Sequence, residues 1–83
     1  MIVNRTHIIL LSILSKSEAS SSATAITTEE IINICPIGKS YTTLHRAISF
    51  LNKNGYISQG IKDGKFYTHY ITNKGLELLR EVQ

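Results

Sequence analysis

The run SYTTLHRAISFLNKNGYI, residues 40–57, constrains the fold more than any other part of the chain. Leu44, Ala47, Ile48 and Leu51 fall on one narrow arc at about 100° per residue, the pattern of a helix with one buried face. Ser40 is a start signal, because a serine hydroxyl ahead of a helix accepts from a free backbone N–H of the first turn. Gly55 is a stop signal, since helices commonly end in a left-handed residue that glycine adopts without strain. Tyr56 and Ile57 then open a strand. The face opposite the arc carries Thr42, Arg46, Ser49 and Lys53, with Thr43, His45 and Phe50 on its flanks. Such a helix is anchored on one side and offers hydroxyls and cations on the other.

The remaining segments supply what packs around it. A first helix is expected from Asn4 or Thr6 to Ser15, with Ile9, Leu10, Ile13 and Leu14 at helical spacing. Ile8 and Leu11 make it apolar nearly all round, so it is either central to the core or shared with a second subunit. KSEASSSATA, residues 16–25, has no period and reads as a loop or frayed helix end with nothing to bury. ITTEEIINI starts a second helix: Thr27 and Glu30 form a capping box, and Ile26 and Ile31 a hydrophobic staple. Glu29 and Glu30 then serve the helix start and its dipole, not acid–base chemistry. This helix ends by Cys35, because Pro36 disfavours helical backbone in the residue before it. CPIGKS, with Gly38 for the bend, leads to Ser40.

IKDGKFYTHYI predicts a hairpin about Asp63-Gly64, its second strand running from Lys65 to Ile71. Tyr67, His69 and Tyr70 are read there as packing residues. Thr72 caps a last helix in which Leu76, Leu79 and Val82 face inward. The order helix, helix, helix, hairpin, helix fits one α+β domain over residues 1–83, with a three-helix core, a two-stranded wing and a C-terminal helix.

Several function classes find no support. Lone Cys35 excludes an intramolecular disulfide and a multi-cysteine zinc site, and reads as a small buried hydrophobe. His7, His45 and His69 lack a metal-ligand spacing. No nucleophile with a base and no glycine-rich phosphate loop is present, so neither an enzyme nor a cofactor is expected. IILLSIL is too short to span a bilayer, and SEASSSATA does not complete a signal-peptide pattern, so a cytoplasmic protein is expected. Charge is more telling. From Lys39 to Lys74 six cations stand against Asp63 alone, whereas the rest of the chain has three cations and five acids. A basic half on an otherwise acidic chain suggests a polyanionic partner.

Two helices joined by a glycine-containing turn, followed by a basic hairpin, match a winged helix-turn-helix. The segment from Ser40 to Ile57 resembles the recognition helix and first wing strand of PadR- and MarR-like winged-helix transcriptional regulators. Tyr70 to Leu79, YITNKGLELL, resembles their wing exit and following helix, and Ile26–Ile34 the helix before recognition. Phe50 departs from the pattern, which usually has Lys or Arg there. The resemblance implies sequence-specific binding of double-stranded DNA by a transcriptional regulator, with helix 40–54 in the major groove and wing 58–70 on the backbone. Ser40, Tyr41, Thr42, Thr43, His45 and Arg46 would then face base edges, Arg46 pairing with guanine and the threonine methyls meeting thymine. Lys39 beside the helix N-terminus, Lys53, and Lys62 and Lys65 around the wing tip would meet phosphates. The long C-terminal dimerisation helix of PadR-like proteins has no counterpart, so a homodimer is expected through residues 1–15 and Phe50. Two alternatives stand beside this one: a plasmid or phage DNA-binding adaptor for partition or replication, and a winged helix that binds protein and not DNA.

Overall fold

The computed structural model describes residues 4–35, 40–62, 64 and 66–82. Its elements are α1 (Arg5–Lys16), β1 (Ile26–Thr27), α2 (Thr28–Ile34), α3 (Tyr41–Lys53), β2 (Ile57–Gln59), β3 (Thr68–Ile71) and α4 (Asn73–Val82). Each of the first three helices starts on a side-chain cap. Thr27 and Glu30 form the capping box predicted for α2, and Ser40 accepts from the Thr43 N–H at the start of α3. On α1 the cap is Asn4, and His7 takes the place usually held by Glu or Gln: Nδ1 of His7 accepts from the Asn4 N–H at 3.1 Å.

The apolar girth of α1 follows from its position, for it packs against α2, α3, α4 and β3. Leu10, Leu11 and Leu14 are fully buried and meet Ile31 of α2, Ala47, Ile48 and Leu51 of α3, Ile57, Ile71 and Leu79 in one core. Each such aliphatic side chain contributes on the order of 1.5–3 kcal/mol by leaving water. The arc Leu44, Ala47, Ile48, Leu51 is the buried face of α3, as its spacing predicts.

The sheet has three strands, not two, in the order β1-β3-β2, all antiparallel. Ile26 and Thr27 pair with His69 and Thr68, so the residues that start α2 also flank the wing. A two-residue strand leaves no periodic trace in a sequence; only its distant partner defines it. The wing's second strand is also shorter than expected, beginning at Thr68. Phe66 and Tyr67 stand about half exposed beyond it, which corrects the reading of Tyr67 as packing. His69 is buried and Tyr70 partly so. Of the predicted turn, Gly64 has a left-handed backbone (φ 61°), while Asp63 and Lys65 lie outside the described residues, as do Pro36 and Gly38.

Two further expectations change. The 17–25 segment does bury something: Ala19 is fully enclosed, and its carbonyl accepts the Ile71 N–H at 2.8 Å. Val82 is exposed, leaving Leu79 as the inward residue of α4 with Leu76 partly covered. Thr72 does serve α4, its hydroxyl accepting from Gly75 N–H at 3.2 Å and donating to the Gly55 carbonyl at 2.6 Å. A side chain at Gly75 would run into the Tyr56 carbonyl, so glycine is what lets α4 lie this close to the start of the wing. Gly55 ends α3 with φ 81°.

Candidate nucleic-acid interface

With its apolar arc sealed against α1, α3 turns Thr42, Arg46, Ser49 and Lys53 outward, all of them exposed. Tyr41, Thr43 and His45 are exposed beside this row. Ser40 and Thr43 tie their hydroxyls together at 2.9 Å, so the cap is rigid and one hydroxyl proton of the pair remains for an outside acceptor. Phe50 is not part of the outer face. Its ring lies flat on His7 of α1, centroids 4.3 Å apart and planes 12° from parallel. This stack accounts for an aromatic residue that neither the core arc nor the outer face requires.

The two flanks of α3 differ. Toward α1, Thr43 and Arg46 line a cleft of about 240 Å³ with Asn4, Thr6 and His7. Toward the wing, Tyr41 stacks loosely on His45 one turn later, centroids 5.8 Å apart. His45 also borders a recess with Ser49, Asn52, Gln59, Tyr67 and His69, which joins α3 to the base of the wing. On the wing itself, Lys62 is exposed and holds its ammonium 4.9 Å from the centre of the Tyr67 ring. That contact is a cation–π pair, worth about 0.5–1 kcal/mol at an exposed site, and it fixes where the charge points.

His69 has Nε2 2.8 Å from the Thr28 hydroxyl, and burial together with the nearby His45 lowers its pKa. It is therefore a neutral structural ring at ordinary pH. Lys74 is also committed: Nζ donates to the Asn54 carbonyl at the end of α3 at 2.7 Å and sits over the Tyr56 ring. Its charge stabilises the C-terminal end of the helix dipole.

Of the ten residues singled out from the sequence, Ser40, Tyr41, Thr42, Thr43, His45, Arg46 and Lys53 share α3 and its cap, and Lys62 lies on the wing. Lys39 and Lys65 lie outside the described residues. Tyr41 is 56% exposed and belongs to the outer surface. The sequence reading missed Phe66 and Tyr67 as surface residues, because a long β pattern conceals where the strand leaves the sheet. Among the described residues no helix is long and apolar enough to cross a membrane, and no cluster of three His, Cys, Asp or Glu could hold a metal ion.

No family model matches the chain. A curated relative, the DNA-binding protein TubR of a Clostridium botulinum C phage, is 28% identical over 82 residues, covering 99% of each chain. The solution structure of the DNA-binding TubR fragment from Clostridium botulinum superposes with a TM-score of 0.73 at 28% identity, each chain wholly covered. TubR from Bacillus megaterium pBM400 superposes with a TM-score of 0.84 at 19% identity, over 96% of this chain and 86% of that one. The helices, the wing and these likenesses together make the fold a winged helix of the α+β class.

Proposed function

We propose that this protein binds double-stranded DNA in a sequence-specific manner, with α3 in the major groove and the wing over residues 58–70 against the backbone. The observation that carries the reading is the exposed row Thr42, Arg46, Ser49, Lys53 on a helix whose other face is locked into the core. Arg46 offers two parallel donors to guanine, the threonine methyls suit thymine, and Lys53 and Lys62 suit phosphates. Lys39 and Lys65 extend this set on charge and chain position. The near full-length match to a phage protein named for DNA binding supports the phage or plasmid adaptor version, which marks a DNA site for partition or replication machinery. The PadR- and MarR-like pattern of residues 40–57 supports the transcriptional-regulator version. In either version the protein acts without catalysis or cofactor, in the cytoplasm, as a homodimer. Pairing draws, within residues 1–15, on the partly uncovered Ile8 and Ile9, and on the edge of Phe50 left outside its stack, and sedimentation of a monomer at high concentration would exclude it.

The test is selection of bound sequences from a random duplex pool, repeated with Arg46→Ala. Loss of preference at one or two base positions is expected, at about 1–3 kcal/mol for a bidentate contact. An unchanged motif would remove Arg46 as a reader. Absence of any salt-dependent binding to duplex DNA would leave the winged helix as a protein-interaction module.

A further inference from the structure

Between the first turn of α3 and the wing lies an open cleft of about 270 Å³, bordered by Tyr41, His45, Phe66, Tyr67, Thr28 and Glu29. Four of its six lining residues are aromatic, from two separate elements: Tyr41 and His45 on one wall, Phe66 and Tyr67 on the other. Tyr41, Phe66 and Tyr67 are 50–56% exposed, so their rings are left largely to water. Neither the core nor the outer row of α3 explains this concentration. Aromatic walls suit a planar π-system, and Glu29, exposed at the margin, is an acceptor without a donor function when ionised. Two guests fit that chemistry: a nucleobase, or the cationic side chain of a partner protein. The charge around the cleft decides between them. Lys62 already lies over Tyr67, occupying the ring that a guest cation would use, and it favours a guest that carries a phosphate.

We infer that the cleft is a second nucleic-acid subsite that takes one unstacked base, its ring stacked against Phe66 and Tyr41, its phosphate toward Lys62 and its exocyclic amino group donating to Glu29. This rests on the DNA-binding reading and adds to it a preference for duplexes in which a base is free to leave the stack. Adenine and cytosine carry the required amino group on an accessible edge; thymine does not.

The experiment compares a fully paired duplex carrying the selected site with the same duplex bearing a single-base bulge beside it, the bulged base being adenine, thymine or a fluorescent purine analogue. Tighter binding of the adenine bulge, roughly tenfold, is expected from one stacked base, with quenching of the analogue. Phe66→Leu should abolish both effects, so that the variant binds bulged and paired duplexes alike, and Glu29→Gln should bring adenine and thymine bulges together. Equal affinity for bulged and paired duplexes, or a preference indifferent to Phe66→Leu, overturns the subsite while leaving the duplex reading standing. Competition by an arginine-containing peptide in place of the bulged base would reassign the cleft to a protein partner. Failure to bind any duplex overturns both readings.

Discussion

Two histidines are buried in this small fold, and they are buried on different terms. His7 of α1 and His69 of β3 are 7% and 5% exposed. His7 is fitted on two sides: Nδ1 accepts the Asn4 N–H, and the ring face rests on Phe50. Its neutral form must then carry the proton on Nε2. His69 is fitted on one side, with Nε2 on the Thr28 hydroxyl and Nδ1 buried without a partner among the described residues. A buried ring nitrogen left unpaired costs about 1–3 kcal/mol. The same residue type thus cements the α1–α3 contact on one flank of α3 and leaves an unmet polar atom at the base of the wing on the other.

The largest test of this contrast is His7→Ala. It removes a capping acceptor, worth about 1 kcal/mol, and an aromatic stack, worth about 0.5–1.5 kcal/mol, along with buried ring surface. A loss of about 2–3 kcal/mol in denaturant unfolding is expected from those parts. A double-mutant cycle with Phe50→Ala should return a coupling of about 1 kcal/mol. Zero coupling would mean that the stack is a contact without energetic consequence, and the contrast with His69 would fail on its stronger side.

How far these features were legible in the sequence depends on the range of the interactions that make them. The caps at Thr27 and Ser40 and the buried arc of α3 were readable because donor, acceptor and apolar partner lie within four positions. The row Thr42, Arg46, Ser49, Lys53 was readable as the complement of that arc. Asn4 and His7 obey the same local rule, yet histidine in the capping box is an uncommon acceptor and gives no familiar pattern. The strand β1, the burial of Ala19 and the pairing of His7 with Phe50 depend on partners more than forty positions away, and nothing local announces them. The aromatic cleft has the same origin, since Tyr41 and Tyr67 come to border one space only in the folded chain.

Acid sharpens the comparison at intermediate cost. Burial lowers the pKa of both rings from the ordinary 6.5, and the charge of His45 adds to the effect at His69. From about pH 7.5 upward, roughly a unit above the ordinary value, both are neutral whether the chain is folded or not. As pH falls from there toward the lowered folded values, the unfolded chain binds more protons than the folded one, so stability declines. Once the folded values are passed the decline levels off. Thermal unfolding measured over this window should show His69→Phe removing more of the decline than His7→Gln, which keeps the capping acceptor. Equal flattening by the two variants would mean that burial and His45 together lower His69 no further than burial alone lowers His7.

The smallest effect is expected from His69→Phe at slightly alkaline pH, where neither histidine is charged. The substitution retains a flat ring of similar size in the β3 position between Ile26 and Gln59. It gives up the hydrogen bond to Thr28, whose residue is only partly buried and can turn its hydroxyl to water. In return it removes the unpaired Nδ1 from the interior. A neutral hydrogen bond contributes about 0.5–1.5 kcal/mol net, and the orphaned nitrogen costs a comparable amount. The two changes therefore offset, and the unfolding free energy should move by less than about 1 kcal/mol. A loss well beyond that would show that Nδ1 has a partner in solution, most simply a bound water bridging it to the recess shared with His45, Asn52 and Gln59. His69 would then be as fully engaged as His7, and the difference between the two flanks of α3 would vanish.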